Sequence, residues 1–284
     1  MALWVRQFGD VCCRYTLEST PQSTCVMHTH DVLENYYFIS GDCTYLIEGT
    51  AYALRPGDII FKRPLEAHKL VVNSSEVPYE RIGITLPIDR FRGLETNDIF
   101  EAMMRRPLGT GNRFTAEDFG HTRCEDMMRE IARRGETMSH AEFLSHIFLI
   151  ATEADRVLRQ KGNAPHKEQR ASTVATRLID YTNEHLYSEF SLTDLCQQFF
   201  LSYSQINRIF KQHTGSTACR YITTKRLLTA RDRIRHGATP AEACYSCGYN
   251  DYSTFYRAYV QQFGHAPKAD QGVPTSSSEL LKTE

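Results

Sequence analysis

An internal repeat in the last third of the sequence constrains the fold more than any other feature. When the chain is shifted by 49 residues, the same side chains recur in the same order. The coinciding pairs are Tyr203 with Tyr252, Ser204 with Ser253, Arg208 with Arg257, Gln212 with Gln261 and Gly215 with Gly264. Apolar positions coincide as well, since Ile206 matches Phe255 and Phe210 matches Tyr259. Matches at one fixed offset indicate two copies of one supersecondary unit.

Each copy predicts a short helix, a tight turn and a second helix, which is the arrangement of a helix-turn-helix unit. The predicted helices cover residues 192–199 and 202–213 in the first copy, and 240–247 and 251–262 in the second. Ser191, Ser202 and Asp251 are good N-cap residues, because their side-chain oxygens can accept a backbone N–H of the first turn. Between the copies, residues 217–235 predict a helix about 28 Å long, which could set two recognition helices about one DNA turn apart.

The second helix of each copy has one apolar and one polar face. In the first copy, Ile206, Ile209 and Phe210 form the apolar face. The opposite stripe, at i, i+3, i+4 and i+7, consists of Ser204, Asn207, Arg208 and Lys211. The second copy presents Ser253, Tyr256 and Arg257 at equivalent positions, and Tyr203 and Tyr252 stand just before the two stripes. Hydrogen-bonding and cationic side chains of this kind suit a helix that lies in the major groove of DNA.

The distribution of charge agrees with this interpretation, although the net charge of the chain is only −1. Residues 208–235 carry a local basic excess opposed only by Asp232, which is typical of phosphate binding. Its members are Arg208, Lys211, Arg220, Lys225, Arg226, Arg231, Arg233 and Arg235. Two alternatives remain open: the basic run is a solvated helix face, or the two copies are unrelated helical hairpins.

The repeat region resembles the DNA-binding domain of the AraC/XylS family over about residues 172–268. The resemblance rests on Leu192, Leu195, Leu201, Ser202, the run 208–215, Tyr221, Ile222, Lys225, Arg226, Leu227 and Ala230, then on the run 248–257, Phe263, Gly264 and Pro267. It implies that the base-reading positions are Ser204, Asn207, Arg208, Ser253, Tyr256 and Arg257. The family usually ends with Tyr-Arg where this chain has Ala269 and Asp270, which leaves the terminal helix open.

The first 90 residues predict short strands separated by turns. Runs of β-forming residues at 35–39, 43–47, 51–54, 59–61 and 69–72 are bounded by glycine, proline, asparagine and serine. Regular spacing of this kind favours a small β-barrel or sandwich.

A histidine pattern in this region resembles the first cupin motif. His28, His30, Glu34 and Gly41 have its H-x-H-x3-E-x6-G spacing, and His68 follows a less regular second motif. The resemblance implies a barrel with an inward cluster of His28, His30, Glu34 and His68, beside which Tyr36 or Phe38 could stack on a ligand. Regulators of the AraC/XylS family commonly use such a barrel to sense a small molecule, often a sugar. A divalent metal held by the same four residues, or a purely structural core, are the alternatives.

The middle of the chain predicts helices over about 116–134 and 139–161. In the second of these, Phe143, Ile147, Ile150 and Ala154 form one apolar stripe, which favours dimerisation. The alternative is that this stripe packs within the chain against the preceding helix.

The predicted fold class is therefore multidomain α+β: an N-terminal cupin-like barrel, a helical region and an all-α domain with two helix-turn-helix units. The predicted boundaries are 10–90 for the ligand-sensing barrel, 91–161 for the helical dimerisation region, 162–171 for a linker, 172–268 for the DNA-binding domain and 269–284 for a disordered tail. Without a signal peptide or a long apolar segment, a cytoplasmic location is expected, with cysteines reduced. Cys244 and Cys247 form a C-x-x-C pair, but no second pair stands nearby, so core packing is favoured over zinc binding.

These features predict a sequence-specific transcription regulator controlled by a small molecule, not an enzyme, with no catalytic residues and no cofactor. The predicted partners are a double-stranded DNA operator, a small-molecule effector, a second copy of the chain, and RNA polymerase if the regulator is an activator. The alternatives are a metal-dependent cupin enzyme with a helical appendage and an adaptor that binds protein. Binding to DNA that weakens with salt would separate the adaptor from the regulator.

Overall fold

The computed structural model describes residues 2–19, 21, 28–30, 32–87, 97–120, 123–161, 174–188 and 190–273. The strands are β1 (Ala2–Phe8), β2 (Val11–Glu18), β3 (Leu33–Ser40), β4 (Asp42–Ile47), β5 (Thr50–Ala53), β6 (Ile59–Lys62), β7 (His68–Ser74), β8 (Tyr79–Leu86) and β9 (Arg113–Phe114). The helices are α1 (Asn97–Arg105), α2 (Cys124–Arg134), α3 (His140–Lys161), α4 (Val174–Glu184), α5 (Leu192–Phe199), α6 (Tyr203–Thr214), α7 (Ala218–Arg235), α8 (Pro240–Ser246) and α9 (Tyr252–Phe263). Strands followed by helices confirm the predicted α+β class.

Two antiparallel sheets form the N-terminal barrel. The larger has the strand order β1-β2-β8-β3-β6-β9, and the smaller has the order β5-β4-β7. Apolar side chains from both sheets meet in one interior cluster, in which Tyr36 and Phe38 of β3 contact the layer formed by Tyr45 and Ile47 of β4. The barrel interior is therefore the space between the two sheets.

The register of β3 decides which side chains enter this interior. Tyr36 pairs with Ile60 of β6, and Glu34 pairs with Lys62 of the same strand. On its other side, Glu34 pairs with Thr85 of β8. Because side chains alternate along a strand, Glu34 and Lys62 lie on the same inner face as Tyr36 and Ile60. The barrel thus carries charged groups in its interior.

The helices α1, α2 and α3 cover the outer face of the larger sheet. Phe143, Ile147, Ile150 and Ala154 of α3 are all buried in this layer. Phe143 stacks on Phe8 of β1, with ring centroids 3.8 Å apart. The prediction that this stripe forms a dimer interface is therefore wrong, because the sheet and the neighbouring helices already cover it within one chain.

The C-terminal part contains the two predicted helix-turn-helix units, α5–α6 and α8–α9, joined by α7. The side chains of Ser191, Ser202 and Asp251 each accept a backbone N–H from the third residue after them, which confirms the predicted N-caps. Thr239 caps α8 in the same way. The structure therefore confirms the paired units and places each helix within one or two residues of its predicted bounds.

Several predicted boundaries need correction. The barrel begins before residue 10, because β1 pairs along most of its length with β2. The region 91–161 is not wholly helical, since β9 pairs with β6 and residues 116–120 form turns. The tail begins later than residue 269, because Pro267–Asp270 is a short 3-10 helix in which Asp270 is buried. The predicted linker, 162–171, lies outside the described residues.

The C-x-x-C pair lies in the core of the second unit. Cys244 and Cys247 are fully buried among apolar residues that include Phe255 and Tyr259. Burial raises the pKa of both thiols above their ordinary value. The prediction of core cysteines is confirmed.

None of the described helices combines the length and the apolar character that crossing a bilayer requires.

Candidate DNA-binding and ligand-binding sites

The polar stripe of α6 is largely accessible. Ser204, Arg208 and Lys211 are exposed, and Tyr203 at the start of the helix is 56% exposed. Asn207 is half-buried, and its Oδ1 accepts the backbone N–H of Ala218 at 3.1 Å. The amide of Asn207 therefore contacts the first turn of α7, whereas its three stripe neighbours face outward.

The second unit repeats this arrangement. Ser253, Tyr256 and Arg257 of α9 are exposed, while Tyr252 is half-buried and packs against Phe255. The structure thus presents two helices with equivalent exposed polar faces. These are the side chains that a helix in the major groove would offer to base edges and phosphates.

Part of the basic excess between residues 208 and 235 is internal and cannot reach phosphates. Lys225 is buried, and Arg235 forms a buried ion pair with Asp270, with 2.9 Å between Nη2 and Oδ1. Arg226 donates to backbone carbonyls of Leu186 and Gly248. Charge counting along the sequence missed this, because it does not separate α7 side chains that hold the domain together from those on its surface.

Three histidines predicted from the sequence come together at one end of the barrel. The ring centroids of His28 and His68 are 4.5 Å apart, those of His28 and His30 are 4.9 Å apart, and those of His30 and His68 are 5.3 Å apart. His28 and His68 form an isolated antiparallel bridge, and the described residues 28–30 do not form a regular strand. Glu34 completes the cluster, with its Oε2 at 3.3 Å from Nε2 of His68 and 3.8 Å from Nε2 of His30.

Lys62 is a member of this cluster that sequence reasoning missed. Its Nζ lies 2.7 Å from Oε2 of Glu34 and donates to the Tyr45 hydroxyl at 2.7 Å. The available signal was a lysine two residues after Ile60 in a short apolar strand, because alternation places both side chains on one face.

The ionisation of the cluster follows from burial and from Lys62. Burial and the Lys62 ammonium lower the pKa of His68 to about 3, so its imidazole is neutral near pH 7. Burial alone would raise the pKa of Glu34, but Lys62, His68 and His30 hold that pKa well below its usual range. The cluster therefore contains a carboxylate, an ammonium and neutral imidazole.

A metal was one alternative for the cluster, and the side chains fit one in part. His28, His30 and His68 each offer a nitrogen, and these atoms lie within 4.8 Å of one another. Glu34 is ion-paired with Lys62, whose positive charge opposes a cation beside it. The residues thus fit a site of three imidazoles rather than the predicted set of four ligands.

Tyr36 lies on the inner face, but cations already contact its ring. The Nζ of Lys62 lies 5.0 Å from the ring centroid, and the guanidinium carbon of Arg81 lies 4.7 Å from it. Phe38 is also buried and packs beside Tyr79. Stacking of a ligand directly on Tyr36 would displace these contacts.

Comparison with known protein families matches both parts of the chain. Residues 16–82 match the family model described as a cupin domain, and residues 195–271 match the model described as a helix-turn-helix domain. The first match spans the strands of the barrel from β2 to β8, and the second spans both helix-turn-helix units.

Several characterised proteins are similar along most of their length. The HTH-type transcriptional activator RhaS of Escherichia fergusonii is 24% identical over 265 residues, which covers 87% of this chain and 88% of the activator. RhaS of Klebsiella pneumoniae is 23% identical over 253 residues, with the same coverage. Among solved structures, ToxT of Vibrio cholerae O395 matches 92% of this chain and 98% of its own, at 12% identity and a TM-score of 0.41.

A barrel of the cupin type joined to two helix-turn-helix units defines a ligand-controlled, DNA-binding transcription regulator. The full-length similarity to transcriptional activators disfavours the alternative of a metal-dependent enzyme. The chain joins a cupin domain at the N-terminal side to a helix-turn-helix domain at the C-terminal side, an arrangement similar to that of AraC-family regulators.

Proposed function

We propose that the regulator reads an operator through α6 and α9 and senses an oxygen-rich small molecule, such as a sugar, inside its barrel. The exposed stripes of the two helices supply the DNA contacts: Ser204, Arg208, Ser253, Tyr256 and Arg257 for bases, and Tyr203, Lys211 and Tyr252 for the backbone. Asn207 joins them by releasing its hydrogen bond to Ala218, or acts by fixing the position of α6.

The observation that carries the ligand proposal is the polar inner face of the barrel. Oε2 of the buried Glu34 lies 2.7 Å from Nζ of Lys62 and 3.3 Å from Nε2 of His68, and both of these side chains are buried as well. Two hydroxyls of the larger sheet, those of Thr16 in β2 and Thr85 in β8, are also buried, and the described residues offer them no hydrogen-bond partner. Charged and polar groups without full pairing are costly in a protein interior, and a hydroxylated ligand supplies the missing partners.

A binding screen tests this proposal. Wild type, His30→Ala and Lys62→Met are heated with a panel of monosaccharides and sugar acids, and His146→Ala on α3 serves as a matched control outside the barrel. A ligand at about 100 times its Kd stabilises the folded protein by about 2.7 kcal/mol. We expect one compound to raise the Tm of wild type and of the control, but not of the two barrel variants.

Operator binding gives the second readout. The same compound should change the affinity of wild type for its operator, and His30→Ala should keep basal binding but lose that change. An unchanged response in both His30→Ala and His68→Ala would contradict the barrel site.

The three imidazoles support a metal as the second candidate for the site. If a metal occupies it, elemental analysis of untreated protein should find close to one equivalent, which His30→Ala loses. Metal-free protein that still responds to an organic compound argues for the sugar-like ligand alone.

The remaining partners belong to the same proposal. We propose that the regulator acts in the cytoplasm, and that it contacts RNA polymerase if it is an activator. A homodimer requires a surface other than the stripe of α3, because that stripe is buried within the chain. Sedimentation of the full chain with and without operator DNA tests the oligomeric state.

A further inference from the structure

A buried carboxylate lies outside the cluster of the barrel, in the turn between β4 and β5. Glu48 has 0% of its surface exposed, although it belongs to a two-residue hairpin turn. Its φ of 48° and the φ of 80° at Gly49 are the left-handed values that such a turn needs. A Cβ on Gly49 would lie 2.7 Å from Cδ1 of Ile179 in α4. The turn is therefore pressed against the DNA-binding domain.

Three side chains of the DNA-binding domain bind this carboxylate. Nζ of Lys225 lies 2.6 Å from Oε1 of Glu48, and Nδ2 of Asn183 donates to Oε2 at 3.0 Å. The Tyr221 hydroxyl also donates to Oε2. Asn183 Oδ1 in turn accepts from Nζ of Lys225 at 3.0 Å. A buried ion pair with its remaining donors satisfied in this way fixes one geometry, whereas loss of one partner leaves an uncompensated charge.

The same carboxylate is bonded to the segment that carries His68. Oε1 of Glu48 accepts the backbone N–H of Ala67 at 2.6 Å, and the N–H of Glu48 donates to the Ala67 carbonyl at 2.9 Å. The next residue, His68, exchanges both backbone hydrogen bonds with His28. Its ring nitrogen Nδ1 also lies 2.8 Å from the carbonyl of Glu66. The His68 ring and the Glu48 carboxylate are therefore both bonded to the same short stretch of backbone, residues 66–67.

The helix that Glu48 holds is shared by both helix-turn-helix units. Tyr221 and Ile222 near the start of α7 belong to the core of the first unit, while Leu227 and Ile234 belong to the core of the second. Lys225 lies between these two sets, and it is 2% exposed. A movement of Glu48 would therefore act on the middle of α7, the helix that joins the two units.

We propose that Glu48 couples the barrel to the DNA-binding domain, carrying a change at His68 through Ala67 to Lys225 and Tyr221 of α7. This inference rests on the proposed ligand site in the barrel. The exposed stripes of α6 and α9 stay accessible while Glu48 is bound, so the contact does not block DNA. Loss of Glu48 is therefore expected to remove the response and to leave binding itself in place.

The first test measures the contact without DNA or ligand. Wild type, Glu48→Gln and Glu48→Ala are treated briefly with an amine-acetylating reagent, and each lysine is followed by mass spectrometry. Lys225 should react at least about tenfold faster in Glu48→Ala, because its burial depends on the carboxylate, while exposed Lys211 serves as the internal control. Equal protection of Lys225 in wild type and in both folded variants would overturn the proposal.

The second test measures coupling to operator binding by a double-mutant cycle. His68→Ala perturbs the barrel without requiring a known ligand, and should change the operator Kd about fivefold or more in the wild-type background. In the Glu48→Ala background the same substitution should change the Kd by less than about twofold. Equal changes in both backgrounds, or no change in either, contradict the coupling.

The outcomes also separate this inference from the proposals on which it rests. If Arg208→Ala leaves operator binding intact, the proposed base contacts fail, but the acetylation result still stands. If no compound binds the barrel while the cycle shows coupling, the ligand proposal fails and the connection from His68 to α7 remains.

Discussion

A buried ion pair between Glu66 and Arg106 stabilises the barrel. The Glu66 carboxylate accepts two hydrogen bonds from Arg106, at 2.6 and 2.7 Å, and others from Asn112 and the N–H of Gly109. Burial alone would raise the pKa of Glu66, but these partners lower it to about 2. The carboxylate thus depends on Arg106 for its charge.

Arg106→Met should lower the free energy of unfolding by about 3–5 kcal/mol, because it leaves the Glu66 charge buried without its cation. Since the pKa of Glu66 is depressed when folded, its contribution is complete above the unfolded value, near 4.5, and is lost as the pH falls towards 2. Urea unfolding at several pH values measures both effects. The double variant Arg106→Met/Glu66→Gln should recover part of the loss, and a further loss would contradict this account.

Arg208 and Lys211 are both exposed on α6, yet they should affect operator binding differently. Arg208→Ala should cost about 1–3 kcal/mol and relax the preference at one or two base pairs, because a guanidinium can bond two acceptors on one base edge. Lys211→Ala should weaken all sequences alike and flatten the salt dependence, since a phosphate contact carries no sequence information. Competition between operator variants distinguishes them. Equal, sequence-independent losses would remove Arg208 from base reading.

The spacing of His28, His30, Glu34 and His68 predicted which residues meet in the barrel, because motif spacing survives variation in the strands around it. The role of Lys62 was not predictable in the same way. Its partner, Glu34, lies on another strand, and only the register of β3 against β6 brings the two together. Glu48 was missed for the same reason, since its partners are in a different domain.

At the scale of whole elements, α3 shows that an apolar stripe does not by itself identify a dimer interface, because a neighbouring sheet of the same chain can cover it. Ile147→Glu should yield unfolded or aggregated protein rather than a folded monomer, because it puts a charge into the layer between α3 and the sheet. Leu149→Glu is the matched control, since Leu149 is 53% exposed on the same helix. Circular dichroism and sedimentation compare the two. A folded, monomeric Ile147→Glu would show that the stripe is intermolecular after all.

Helix ends were predictable where a cap determines them. Ser191 and Ser202 each form a capping box with the residue three positions on, so α5 and α6 begin where the sequence predicts. The start of α2 was placed too early, because Asp118 instead forms a turn by accepting the N–H of Thr115. The two-residue β9 carries no local signal, and only its pairing with β6 makes it a strand.

At the scale of the whole molecule, Arg226 ties the two helix-turn-helix units together. Its Nε donates to the Leu186 carbonyl at 2.7 Å, on the side of the first unit, and its Nη1 donates to the Gly248 carbonyl at 2.9 Å in the second. The Ser188 carbonyl accepts a third hydrogen bond at 3.1 Å. This guanidinium therefore bonds a segment beside the first unit to the turn between α8 and α9 in the second unit.

Arg226→Lys should relax the spacing requirement of the operator, because an ammonium cannot reproduce the guanidinium fork. Wild type should lose affinity sharply when two base pairs are inserted between its half-sites, whereas the variant should show a smaller penalty. Arg220→Lys on the exposed face of α7 is the matched control. Electrophoretic titration of operators with graded insertions measures the penalty, and identical penalties in wild type and Arg226→Lys would refute this role.

The two recognition helices belong to one polypeptide and differ in sequence, with Asn207 and Lys211 in α6 where α9 has Tyr256 and Val260. Because their sequences differ, no exact twofold axis relates them. A DNA site bound by one chain is therefore asymmetric, and it has a direction along the double helix. Inverting the operator relative to the neighbouring DNA would leave the affinity of the chain unchanged. The bound chain would also be inverted, so its barrel would lie towards the opposite end of the neighbouring DNA.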